Sequence, residues 1–92
     1  MRLTVDQIDL LAKNYSIGII TVQYLENCLN SYYLLRFNLD TSEEWLAFKQ
    51  NCPEEARALA ALDLALCEYL HEQKDFATVY ETIKNSPNFC IS

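Results

Sequence analysis

Glycine and proline are nearly missing from this 92-residue chain: Gly18 is the sole glycine, and Pro53 and Pro87 are the only prolines. Tight hairpin turns draw on these residues, so the shortage weighs against a sheet of short strands and favours helices. With Gly18 alone, no glycine-rich loop can cradle a phosphate, which excludes nucleotide chemistry. Histidine is equally scarce, with His71 the one imidazole. A hydrolytic triad or acid–base pair would have to be built on it, and nothing in "CEYLHEQ" requires that. Cys67, one helical turn earlier, could meet His71 as a thiolate–imidazole pair, but a boundary residue with a wet edge leaves the same trace. The expectation is a protein that is not an enzyme and carries no cofactor or metal.

Basic side chains are also few, 7 against 13 acidic ones for a formal charge of −6, and they stand singly. Without a basic stripe to neutralise phosphates, nucleic acid is not an expected ligand class, and anionic membranes are disfavoured for the same reason. A basic or largely apolar protein partner fits better. No apolar run approaches the roughly 18 residues of a membrane span, and "MRLTVDQIDL" has no apolar signal core or small-residue cleavage site. Membrane insertion is therefore not expected, and the expected location is the cytoplasm. Cys28, Cys52, Cys67 and Cys90 form no C-x-x-C pair. An even number permits two bridges, while buried, reduced thiols in a cytosolic protein are the simpler reading.

Apolar residues make up 51% of the chain, too many for disorder. A single domain over residues 1–92 buries only about 60 to 65% of its unfolded surface, so its stability is marginal and a partner that covers more surface matters to it. The pattern predicts an all-α fold of five helices. "TVDQ" at residues 4–7 is a capping box that opens a helix over about 5–14. After Gly18, residues Ile19, Val22, Leu25, Leu29, Tyr32, Tyr33 and Phe37 fall within roughly 140° of a helical wheel and predict a second helix over 19–37. The β-branched "IIT" could instead end a strand, but no second strand is present to pair with it.

Thr41 and Glu44 repeat the capping-box spacing and open a short helix through Trp45 and Phe48. Pro53 suits the first turn of a fourth helix, rich in Ala and Leu, running to about residue 72. Asp75 can cap a fifth from Phe76 to about Asn85, with Val79, Tyr80 and Ile83 as its packing stripe, ended by the restriction Pro87 places on the residue before it. The acidic pairs Glu43–Glu44 and Glu54–Glu55 open helices, where negative charge is favoured, and lack the spacing of a calcium loop.

One residue breaks the apolar run "ALDLALCEYLHEQKDF" at 61–76. Taking Leu59 as zero on the wheel, Leu66 and Leu70 fall within about 20° and Asp63 at about 40°, so the acid projects from the apolar face, with Arg57, Glu68 and Glu72 on the solvated strip opposite. A buried carboxylate needs a partner group. That group is either internal, from a Tyr, a Trp N–H, a Lys or a helix terminus, or it belongs to another chain.

The same stretch carries a family resemblance. "HEQKDF", with Leu66 and Leu70 before it and Val79 and Ile83 after it, resembles the turn of a tetratricopeptide helical hairpin over about residues 54–85, the closer match running from about 60 to 84. It departs from that repeat at Cys67 and Val79, where small residues are usual, and at Lys74, which replaces the turn glycine. Size, acidity, helix count and this hairpin together resemble the small cytosolic chaperones of type III secretion needle subunits. The resemblance implies a groove that holds an amphipathic helix of a partner, and a second small co-chaperone as a further partner.

The apolar excess on helices 19–37 and 56–72 points the same way, since a helix-in-groove partner or self-association would cover it. The expected protein-binding residues are Tyr32, Tyr33, Phe37, Leu66, Tyr69 and Leu70, with Asp63 as an orienting polar contact. A rival expectation is an acidic inhibitor or immunity-type protein that blocks a basic site on an enzyme or defence complex.

Overall fold

The computed structural model describes residues 3–31, 43–69 and 75–89, and among them it has five helices and no strand, as the composition predicts. The helices are α1 (Val5–Ser16), α2 (Val22–Asn30), α3 (Glu43–Asn51), α4 (Pro53–Tyr69) and α5 (Phe76–Asn85). The capping box at the start of α1 forms as expected: Thr4 Oγ1 accepts the Gln7 N–H at 3.2 Å, and Gln7 Oε1 accepts the Thr4 N–H at 2.9 Å. Ile8, Ala12 and Tyr15 turn one face of α1 into the core.

Gly18 ends this helix with φ +81°, a left-handed conformation that favours glycine. Its N–H donates to Tyr15 O at 3.1 Å and the Ile19 N–H to Asn14 O at 2.8 Å. These two bonds close a Schellman motif and satisfy carbonyls the helix end leaves open.

The second helix begins later than the expected Ile19. The chain is occupied with the reversal through Ile20, and Thr21, extended at φ −92° and ψ 163°, caps α2 by accepting the Tyr24 N–H at 3.2 Å. Leu25 and Leu29 are buried, and residues 32–37 of the expected helix lie outside the described residues, as does Thr41 of the second capping box. At the joint of α3 and α4, the Cys52 N–H donates to Phe48 O and the Cys52 carbonyl accepts from Ala56. Pro53 then occupies the first helical position, where its missing N–H would have had no partner.

Asp75 stands at the expected cap of α5 but its side chain makes no capping bond. Its backbone, φ −102° and ψ 3°, is not the extended geometry from which a cap side chain reaches back over the first turn. The helix ends as expected at Ser86, extended at ψ 128° before Pro87.

Helix α4 is the axis of the fold and packs on α1, α3 and α5. From Ala56 to Leu66 every residue is buried except the half-buried Arg57 and Leu64. The alanines at 56, 58, 60, 61 and 65 keep this helix slim enough for neighbours to approach on several sides. Helix α1 packs on both α4 and α5, and Tyr15 meets Phe76 edge to face with ring centroids 4.7 Å apart. Trp45 brings α3 to the same core, and Leu25 and Leu29 bring α2. The hairpin α4–α5 is thus closed by the first helix of the chain.

Candidate functional site: the buried acid and the groove between α1 and α5

The apolar excess of α4, expected to await a partner, is consumed inside the molecule. A helix whose middle is apolar on nearly every side is stable at the centre of a bundle, and three neighbours pack on this one. Asp63 is 2% exposed and Leu66 3%. The Asp63 carboxylate has partners within the chain, and no buried side-chain nitrogen or oxygen among the described residues lacks one. Cys67 Sγ, one turn on, lies 4.0 Å from Asp63 Oδ1.

Of the two origins open to the group that satisfies Asp63, the internal one fits this burial. The structure brings Asp63 and Leu66 together on the interior side of α4, and Tyr69 closes that helix. Tyr32, Tyr33, Phe37 and Leu70 lie outside the described residues, as does His71, so the Cys67–His71 pair does too. Cys28, Cys52 and Cys67 form no disulfide. Partial burial raises the Cys28 thiol above its ordinary value, which disfavours the thiolate.

Two polar constellations escaped the sequence reading. Arg57, expected on the solvated strip, is half-buried and reaches across to the end of α5. Its Nε donates to Lys84 O at 2.7 Å, one terminal nitrogen to Phe89 O at 2.7 Å and the other to Ser86 O. The guanidinium also lies over the Phe89 ring, 5.1 Å from its centroid. A helix ended by proline leaves carbonyls without donors, and a fork of fixed N–H groups satisfies several at once.

The second constellation links the chain's two ends. Asp9 Oδ1 accepts from Tyr80 Oη at 2.5 Å and from Lys84 Nζ at 2.7 Å, and Lys84 also lies 3.5 Å from Glu81. Burial, then the hydrogen bond and negative charge of Asp9, with Glu81 adding to them, hold the Tyr80 hydroxyl well above the ordinary tyrosine range. Burial works against the Lys84 charge, but the bond to Asp9 and the charges of Asp9 and Glu81 outweigh it and raise its pKa. Nothing local in sequence announces a pair 75 residues apart.

Beside this constellation a groove of about 370 Å³ opens between α1 and α5, with Asp6, Asp9 and Leu10 on one wall and Ala77, Tyr80 and Glu81 on the other. Leu10 is 54% exposed there. Further along the chain Ile17, Ile19 (67% exposed) and Tyr24 stand in solvent around the α1–α2 reversal, and Leu46 does so on α3.

Among the described residues no cluster of metal-ligating side chains occurs, and no helix is long and apolar enough to cross a membrane. No protein-family model, curated protein or solved structure matches the chain.

Proposed function

We propose that this chain is a non-enzymatic helical protein-binding module that holds an amphipathic helix of a partner, in the manner of the chaperones of type III secretion needle subunits that its sequence resembles. The observation that carries the reading is the set of large apolar side chains left in solvent after the core has closed: Leu10, Ile17, Ile19, Tyr24 and Leu46. A small domain with marginal stability gains from covering such residues, and a helix laid in a groove is an economical cover. Cys28, Cys52 and Cys67 form no disulfide, which fits work in a reducing compartment such as the cytoplasm.

The test is hydrophobic-dye binding by the purified chain, followed by displacement of the dye with helix-forming peptides. A chain that takes up no dye and binds no amphipathic peptide would end the reading.

The rival reading, an acidic blocker of a basic site, draws support from the carboxylates Asp6, Asp9 and Glu81 along the groove. Salt separates the two. A blocker loses affinity steeply as ionic strength rises, whereas binding driven by apolar contact persists.

A further inference from the structure

We propose that the groove between α1 and α5 is the docking site for a basic amphipathic helix of a partner protein. In this arrangement an aliphatic side chain of the helix lies on Leu10 and Ala77, and a neighbouring lysine or arginine bonds Asp9. The inference rests on the binding-module reading above and gives it a location and a chemistry.

Three observations converge on it. First, both described side-chain donors to Asp9, the Tyr80 hydroxyl and the Lys84 ammonium, meet on the single oxygen Oδ1. No described residue donates to Oδ2, and the Asp9 side chain is 34% exposed on the groove wall. The carboxylate is thus fixed in place by two bonds with an acceptor that no described residue uses, and an acceptor that is already oriented loses little freedom when a cation arrives.

Second, Leu10 follows Asp9 directly and stands more than half exposed beside Ala77, so an apolar contact and a charged one lie within one helical turn's reach of an incoming chain.

Third, the lining has three carboxylates, Asp6, Asp9 and Glu81, against one ammonium, Lys13, and the nearby Lys84 is already engaged by Asp9 and Glu81. A second copy of this chain, at a formal −6, and an anionic membrane would both be repelled. A helix with lysines or arginines beside its apolar stripe supplies both halves of what the groove lacks.

The probe is a helix-forming peptide of about 18 residues, with leucines at helical spacing and lysines beside them, set against an analogue with glutamate for lysine. Amide shift mapping on the full chain should place the lysine peptide at Asp6, Leu10, Ala77 and Glu81, with the glutamate analogue at least about tenfold weaker. Leu10→Lys, at an exposed position, should weaken binding about tenfold or more while leaving the thermal melt unchanged, and Ile19→Lys should leave affinity as it was. Asp9→Asn, which keeps the shape but removes the charge, should act in the same direction as Leu10→Lys.

Shifts confined to Ile17, Ile19 and Tyr24, with loss of binding in Ile19→Lys alone, would overturn this groove and leave the binding-module reading standing. Equal weakening by Leu10→Lys and Ile19→Lys would mean diffuse charge attraction and would overturn the groove as well. Failure of both peptides to bind anywhere would overturn the groove and the module reading together.

Discussion

Asp63 and Asp9 are both acids on helices that turn apolar residues into the core, yet they end in opposite situations. Asp63 lies 2% exposed in the central helix, satisfied by groups of its own chain, with little surface to offer. Asp9 is held by Tyr80 and Lys84 through one oxygen and shows a third of its side chain to a groove. Position on a helical wheel reports how deep an acid will sit, and it singled out Asp63 for that reason. It does not report which acid is held in place with an acceptor to spare, because that depends on residues far away in sequence. The docking chemistry proposed here belongs to the second kind.

The largest expected effect tests the first half of that contrast. Asp63→Leu leaves the aspartate's internal partners unsatisfied and puts a bulkier group into a packed helix, so it should cost about 2 to 4 kcal/mol. Urea unfolding measures this, and the affinity of the folded fraction for the lysine peptide should not change. A variant as stable as the parent that no longer binds the peptide would transfer the interface to α4 and reverse the comparison.

Arg57 extends the contrast to a cation. Like Asp63 it sits on α4 and spends its hydrogen bonds inside, on carbonyls at and beyond the end of α5. Arg57→Ala should lose roughly 1.5 to 3 kcal/mol and speed amide exchange near the end of α5 and the turn after it. Arg57→Lys should recover little of the loss, because a single ammonium cannot reproduce a planar fork. Full recovery by lysine would show that charge, not geometry, holds the tail.

Much of the fold was legible because its signals are local. The Thr4–Gln7 box, Pro53 at a first turn and the stop before Pro87 each act within one turn of chain, and each appears at the expected residue. Thr21 was equally readable as a cap but was covered by an apolar pattern that ran through it. Helix α4 shows the limit of pattern reading. Between Ala58 and Leu66 its alanines and leucines run nearly right round the wheel, even behind the expected solvated strip, which fits burial on all sides as well as a waiting groove, and only the packing of α1, α3 and α5 decides. The polar constellations were illegible because their members, Asp9 with Lys84 and Arg57 with Phe89, are joined by the tertiary fold alone.

Tyr80→Phe probes the other aspartate from its supporting side. Removing the hydroxyl takes away one of two donors on Oδ1 and should cost about 1 to 2 kcal/mol, less than the change at Asp63 because Lys84 remains. The pH dependence has a definite sign. Tyr80 and Lys84 both have folded pKa values raised above their unfolded ones. Below about pH 10 both keep their protons in either state and their contribution is complete. Above it the unfolded chain releases protons first, so stability should fall as pH rises. Denaturant midpoints across that range should decline less steeply in Tyr80→Phe, and an unchanged decline would mean the hydroxyl is not held as described.

Glu81 supplies the smallest and most discriminating change. Its pairing with Lys84 spans 3.5 Å between side chains three residues apart, with Glu81 about half exposed, and an exposed pair of this kind contributes little. Glu81→Gln should therefore shift stability by less than about 0.5 kcal/mol. Lys84 keeps its shorter bond to Asp9, so that constellation should remain intact. Because Glu81 lines the groove, the same variant should weaken the lysine peptide about two- to threefold at low salt, and the difference should vanish as salt screens the site. An effect on binding without one on stability is what separates a groove wall from the interior. If Glu81→Gln instead lowered stability as much as Tyr80→Phe, the seam between α1 and α5 would be structural in the same sense as Asp63, and the contrast between the two aspartates would close.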